Sequence, residues 1–252
     1  MCIRDRYIGE EVGTTNGPEI DIAVDPLEGT NFAANNLPGA LSVIAIAEKN
    51  NLFHAPETYM EKISTKVSEK GVIDLDYSVK ENIFNLCEYL NKKPQSITAC
   101  IMDRPRHKEI INELNILGVK IKLITDGDVS GALLVTDDKY GVDIFLGIGG
   151  GPEGVLASAA LDTFECSFQG RFLFHTEEDK RRANKMGITN LSKKYELDEI
   201  VKGDSIFCAT GVTSGDLVSG IRTENNKFIT ETLVTHKSTG LKKIIKKVEN
   251  RY

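Results

Sequence analysis

The sequence has no tryptophan, and aromatic residues make up only 7% of its 252 positions. Aliphatic side chains must therefore carry the core, and at 40% hydrophobic residues they suffice to exclude disorder as the main state. The five cysteines are widely spaced and form no C-x-x-C pair, which excludes a disulfide scaffold and a cysteine zinc site. Inert, buried thiols and a cytoplasmic location are the expectation. No apolar run approaches the roughly 20 residues that a membrane span needs, so no membrane partner is expected. Positive charge is in deficit, with 31 Lys+Arg against 37 Asp+Glu and a net charge of -6, which argues against a nucleic-acid partner. The Lys242, Lys243, Lys246 and Lys247 cluster is expected to be the solvated face of a helix. Solenoid repeats and low-complexity segments are also missing.

Against these absences stands a clear alternation of elements. Ile20–Val24 reads as a short strand halted by Asp25-Pro26, because proline cannot donate to a sheet ladder. Leu41–Ala47 is a second strand, with Asn50-Asn51 as a two-residue turn and Leu52-Phe53 as the start of the return. Glu81–Leu90 has helical spacing through Ile83, Leu86 and Leu90. The Lys92–Ser96 stretch is the best internal boundary, which divides the chain into 1–94 and 95–252. Beyond it, Ile97–Met102, His107–Leu117 and Val119–Leu123 read as strand, helix, strand, with Gly118 as the helix stop, and imply a parallel pair. A strand over Val142–Leu146, a helix over Val155–Leu161 and a strand over Ser205–Ala209 follow, and the charged stretch from Thr176 to Lys194 has helical tendency. The fold class is α/β.

Polar residues gather directly after these strands. In open α/β sheets such strand ends form the ligand crevice, so the loops are expected to converge. Asp25 and Glu28, three apart around the stiff Pro26, offer hard oxygen ligands for Mg²⁺ or Mn²⁺. Gly29 and Thr30 offer N–H groups and a hydroxyl where a helix begins, a place that favours phosphate, although all four residue types also build ordinary capped turns. Gly149-x-Gly151-x-x-Gly154 matches a dinucleotide fingerprint, but Glu153 would repel a pyrophosphate and Pro152 lacks a donor. Glu153 fits a metal ligand better, with the bare backbone at Gly150 admitting a phosphate. Arg104-Pro105-Arg106 places two guanidinium groups at a strand end, able to fork onto one phosphate or to stand as surface arginines. Asp126-Gly127-Asp128 suits metal or hydroxyl groups, or a cap for the helix near Val129. A tyrosine placed as Tyr59 is more often a half-buried packing residue than a ligand contact, and the four histidines are dispersed without metal spacing.

Seven motifs stand in fixed order: Ile20–Thr30 (IDIAVDPLEGT), Asn51–Lys62 (NLFHAPETYMEK), Gly71–Leu75 (GVIDL), Asp103–His107 (DRPRH), Thr125–Val129 (TDGDV), Gly147–Val155 (GIGGGPEGV) and Ala209–Leu217 (ATGVTSGDL). Together they resemble the class II fructose-1,6-bisphosphatases of the bacterial GlpX type, and the likeness runs from Tyr7 almost to the end. It implies a layered α/β sugar-phosphatase fold with two subdomains and the site between them. It implies metal-dependent hydrolysis of fructose 1,6-bisphosphate, with sedoheptulose 1,7-bisphosphate as a possible second substrate, and Mn²⁺ or Mg²⁺ as cofactor. By the family pattern Asp25, Glu28 and Glu153 are metal ligands, and Asp25, Glu28 and Thr30 carry the catalysis. Glu28, Gly29 and Thr30 hold the departing phosphate. Tyr59, Arg104 and Arg106 fit the non-reacting phosphate and Asp126 and Asp128 the sugar hydroxyls, with Pro105, Gly127 and Gly150 as further substrate contacts. The partner is then a small sugar bisphosphate, and a homodimer or homotetramer is expected.

Members of that family begin about sixty residues earlier, and the segment carries two further acidic ligands. Neither is in this sequence, which would retain three of five and is expected to be inactive alone. Met1–Arg6 is expected to be foreign to the natural chain, and Glu10 and Glu11 to be surface residues. The rival functions are an inositol or sugar monophosphatase, which would not need Arg104 and Arg106, and a non-catalytic chain that binds sugar phosphate.

Overall fold

A computed structural model describes residues 9–14 and 16–251. Met1–Arg6, Cys2 and Tyr7 lie outside the described residues. Among the described residues twelve strands form two sheets. The first is antiparallel: β1 (Ile20–Glu28), β2 (Leu41–Glu48), β9 (Ser205–Gly211), β10 (Arg222–Glu224), β11 (Lys227–His236) and β12 (Leu241–Asn250), in the order β1-β2-β9-β11-β10 with β12 on the other side of β11. The second is mixed: β3 (Tyr59–Thr65), β4 (Thr98–Met102), β5 (Lys120–Ile124), β6 (Ile144–Gly150), β7 (Ser167–Leu173) and β8 (Lys194–Glu196), in the order β5-β4-β6-β3-β7-β8. Seven helices join them among the described residues: α1 (Thr30–Ala34), α2 (Val79–Leu90), α3 (Lys108–Ile116), α4 (Asp128–Leu133), α5 (Gly151–Thr163), α6 (Glu177–Lys185) and α7 (Leu197–Ile200).

The layering follows from where apolar surface can be covered. α5 is apolar on every side, with Val155 to Leu161 all buried, so it must lie between two apolar layers. It packs on β1, β2, β9 and β11 of one sheet and on β3, β6 and β7 of the other. The opposite face of the second sheet carries Ile63, Ala99 and Ile144, and these join Ile83 and Leu86 of α2 and Leu114 of α3 in a second core cluster. The order is sheet, helix, sheet, helix: a layered α/β fold, as the resemblance implies. β4, α3 and β5 form the expected parallel unit, with Thr98 opposite Lys120 through Met102 opposite Ile124. Gly118, at φ 73°, is the helix stop.

Five readings change. β1 is not halted at Asp25-Pro26 but runs to Glu28, because its register slips by one residue between Asp25 and Glu28 and the bulge accommodates the proline. Asn50-Asn51 does not turn into a hairpin; Leu52 bridges Val201 instead. The lysine-rich Leu241–Asn250 is a strand paired along its length with β11, not a helix face. α5 begins at Gly151, earlier than its apolar run, because Pro152 in the first turn costs no needed N–H. The parting at 94/95 does not follow the sheets: β3 stands inside the second sheet, and β9 returns to pair with β2 in the first.

Among the described residues no helix is long and apolar enough to cross a membrane. Cys87, Cys100 and Cys166 are buried and free, and burial pushes the Cys100 and Cys166 thiols up to about 12, which leaves them unreactive. Glu11 is exposed and Glu10 half-buried ahead of β1.

Candidate active site

The strand ends meet between the two sheets. β1 delivers Asp25 and Glu28 from the first sheet, and β5 and β6 deliver Asp126–Asp128 and Glu153 from the second. Glu28, 3% exposed, accepts a hydrogen bond at Oε1 from the Val129 N–H at 2.8 Å, so it caps α4. Asp126 does the converse, accepting at Oδ2 from the Asn31 N–H of α1 at 3.0 Å. Each loop thus caps the other loop's helix, and neither Asp126 nor Asp128 caps α4 itself. This crossing requires close approach. Gly29 and Gly127, at φ 75° and 84°, both lie against the Phe32 ring, where a Cβ would come within 2.8 and 2.9 Å of it. Thr30, the first residue of α1, is exposed.

The glycine run on the facing loop leaves room for carboxylates. A Cβ at Gly149 would collide with the Asp128 carboxylate, and one at Gly150 with that of Glu153. Gly150 is the N-cap of α5 and Glu153 lies in its first turn, beside the positive end of a 13-residue helix. Burial, with smaller contributions from Asp128 and Asp25, pushes the Glu28 carboxyl up to about 8. Burial likewise raises that of Glu153. These acids repel one another in a dry pocket, and a cation beside them would relieve both costs.

Tyr59, Gly150 and Glu153 line a cavity of about 550 Å³ together with Glu57, Thr58, Pro152, His175 and Asp179. The Arg106 guanidinium lies over the Tyr59 ring at 4.8 Å and donates from Nε and Nη2 to the Ile148 carbonyl at 2.9 and 2.8 Å. The two arginines do not fork onto one point. Pro105 starts a 3-10 turn, Pro105–His107, so the side chains part: Arg104 donates to the Thr125 carbonyl at 2.6 Å and lies 3.6 Å from Asp126. Arg104 braces the Asp126 loop and Arg106 faces Tyr59.

Sequence reasoning missed four residues here. Glu57, His175 and Asp179 line the cavity, brought there by β3 and the approach to α6. Lys62, 1% exposed on β3, pairs with Asp128 and donates to the Gly150 carbonyl. Its signal is faint: a lysine at an inward strand position whose cross-strand neighbours, Gly147 and Gly170, have no side chain. His107 is structural, as expected of a lone histidine; buried, it accepts from the Ile148 N–H at Nε2 and shares Nδ1 with the Met102 carbonyl, both at 2.7 Å.

A layered α/β fold whose cleft joins acidic side chains to helix N-termini belongs to the class that handles a phosphate together with hard cations. The chain is a member of a defined family within that class: the model of the bacterial fructose-1,6-bisphosphatases, glpX-encoded, matches residues 4–249, and the chain belongs to that family. It is 39% identical to a protein of Synechococcus sp. (strain JA-3-3Ab) named D-fructose 1,6-bisphosphatase class 2/sedoheptulose 1,7-bisphosphatase, over 90% of this chain and 73% of that protein. A Prochlorococcus marinus (strain MIT 9301) protein of the same name is 38% identical over the same shares.

Membership carries dependence on a divalent metal. Among the described residues no three His, Cys, Asp or Glu side chains already converge as a ligand set. The donors present nonetheless suit a hard cation, since Glu28 Oε2 is a buried carboxylate oxygen with no hydrogen-bond partner and burial raises both the Glu28 and the Glu153 carboxyls.

Proposed function

We propose that the chain hydrolyses the 1-phosphate of fructose 1,6-bisphosphate, giving fructose 6-phosphate and inorganic phosphate, and accepts sedoheptulose 1,7-bisphosphate as well. The observation that carries this reading is the crossed capping of α1 and α4 by Asp126 and Glu28, which brings the Gly29-Thr30 turn, Asp126 and the unpartnered Oε2 of Glu28 together. Asp25, Glu28 and Glu153 would hold Mn²⁺ or Mg²⁺, which supplies an activated water and charge neutralisation at the phosphoryl group. The residues do the rest. Gly29 and Thr30 bind the departing phosphate through N–H groups and the hydroxyl, and Glu28 orients that turn against α4. Arg106, flat on Tyr59, takes the non-reacting phosphate, and Asp126, Asp128 and the Gly150 backbone read the sugar hydroxyls.

The cleft lies between two subdomains, the protein works in the cytoplasm, and it assembles as a homodimer or homotetramer. The test is phosphate release from both bisphosphates with Mn²⁺ and with Mg²⁺, beside inositol monophosphate. Metal-dependent release from the bisphosphates supports the reading. Release from the monophosphate alone, unaffected by loss of Arg106, overturns it.

A further inference from the structure

Lys62 is the one full-length cation sealed inside the acidic floor of the site among the described residues. It is 1% exposed, and its stem runs from β3 past Gly154, where a Cβ would approach Lys62 Cε to 3.3 Å. Cross-strand neighbours Gly147 and Gly170 clear its path. Its ammonium has two acceptors, Asp128 Oδ2 and the Gly150 carbonyl. Asp128 is the first residue of α4 and Gly150 the N-cap of α5. A single cation therefore ties together the starts of the two helices that face the cleft.

Stability alone does not account for a lysine here. A buried ammonium must be fully paired merely to break even, and a well-packed apolar side chain in its place is often as good or better. Nor does Lys62 meet the substrate, because at 1% exposure its ammonium is spent on Asp128 Oδ2 and the Gly150 carbonyl. What it does is divide the carboxylates. Asp128 has one oxygen taken by Lys62 and its other oxygen, Oδ1, buried with no partner. Glu28 keeps Oε2 without a partner as well, and both Asp128 and Asp25 act on it electrostatically. Four acids, Asp25, Glu28, Asp128 and Glu153, thus share one built-in counter-charge, and that charge is assigned to Asp128.

We propose that Lys62 is a positioning residue that holds the Asp128 carboxylate at the start of α4 and withholds it from the metal shell, leaving Asp25, Glu28 and Glu153 to the cations. The proposal rests on the functional reading above for the identity of the substrate, but its central claim concerns cation binding and is read without turnover.

The experiment compares wild type with Lys62→Met, of similar length and no charge, and with Lys62→Gln, which keeps an N–H donor on a neutral stem. Mn²⁺ binding is titrated by electron paramagnetic resonance, and kcat and KM are measured for fructose 1,6-bisphosphate. With Asp128 released, Mn²⁺ binds at least fivefold more tightly in Lys62→Met, while kcat falls tenfold or more and KM changes less; Lys62→Gln lies between. General damage to the fold would weaken Mn²⁺ binding and turnover together, and that result overturns the proposal. So does unchanged Mn²⁺ affinity, or a kcat within twofold of wild type. If Lys62→Met does not fold, Lys62→Gln decides; if neither folds, Lys62 is a structural residue and the proposal falls. A wild-type protein that binds Mn²⁺ but hydrolyses no sugar bisphosphate overturns the functional reading instead, and the Mn²⁺ shift still decides the part played by Lys62.

Discussion

At the scale of single residues the site is a set of acids kept in an unfavourable state. Glu28 is nearly fully buried, and burial has moved its carboxyl up to about 8, so the folded chain without a cation resists its ionisation. Glu28→Gln removes that cost while its amide oxygen still accepts from the Val129 N–H. The variant should therefore melt higher than wild type in the absence of metal, by a margin that opens as pH rises from about 4.5 and is complete above about pH 8. Its phosphate release should fall by about 10²–10³-fold, in the range seen when one preorganised group is lost from an active site. Calorimetry and a phosphate assay read the two effects separately, and near-normal turnover at saturating Mn²⁺ would remove Glu28 from the site. Arg106 is the opposite kind of residue, exposed and held by Tyr59 and the Ile148 carbonyl without a carboxylate partner among the described residues. A contact to the non-reacting phosphate binds ground and transition states alike. Arg106→Ala should raise KM for the bisphosphate about 10- to 150-fold with a smaller effect on kcat. A fall in kcat at constant KM would assign Arg106 to the reacting phosphate.

At the scale of elements, the 3-10 turn Pro105–His107 locks β4 to β6. His107 and Arg106 take the N–H and the carbonyl of the same residue, Ile148. Burial first, and Arg106 next, hold the His107 imidazole below its ordinary value of 6.5, with the Met102 carbonyl and Asp128 opposing. Unfolded, the ring takes a proton as pH falls through 6.5; folded, it resists until lower pH. The unfolded chain then binds more protons, so stability present above pH 6.5 is lost as pH drops below it. The melting temperature should fall between pH 7.5 and 5.5 by about 2–4 °C more in wild type than in His107→Gln, whose amide can serve both neighbours without a charge. Equal falls would show that His107 does not carry the effect. Elements like this one were legible where local pattern and long-range partner agree, as in β4, α3 and β5. They were not where pairing decides. Leu241–Asn250 places apolar pairs at helix-like spacing, and only the ladder to β11 makes it a strand. Asn50-Asn51 has hairpin chemistry, but Leu52 finds its partner at Val201, far along the chain. In the site, Asp25, Glu28, Asp126, Asp128 and Glu153 were legible as acids that follow strands. Lys62 was not, because its burial depends on glycines in two other strands.

At the scale of the whole molecule, the layers formed by the described residues leave one sheet face bare. β1 alternates Ile20, Ile22 and Val24 with Asp21, Ala23 and Asp25, a pattern that would ordinarily turn the isoleucines inward. The structure does the reverse. Ala23 packs against the core, and Asp21 accepts the Leu52 N–H at 3.1 Å. Ile20, Ile22 and Val24 are instead 48%, 45% and 49% exposed. Val24 stands opposite Ile44 and Ile22 opposite Ile46, while Ile46 stands opposite Ile206, so these side chains share one outer face across β1, β2 and β9. β2 and β9 can spare no inward residue to correct this, because Val43, Ala45, Phe207 and Ala209 already pack within the core that holds α5. An apolar patch spread over three strands is larger than scattered exposed side chains explain, and in water it drives association. The chain of 252 residues should therefore self-associate with rising concentration, and Ile22→Thr combined with Ile46→Thr should suppress this while keeping strand-forming side chains in place. Sedimentation velocity across a hundredfold range of concentration is the measurement. A wild-type boundary that stays monomeric at the highest concentration, or a double variant that associates as wild type does, would show that this face plays no part. Mn²⁺ binding should be the same in both proteins, because neither isoleucine reaches the cleft on the other side of the sheet.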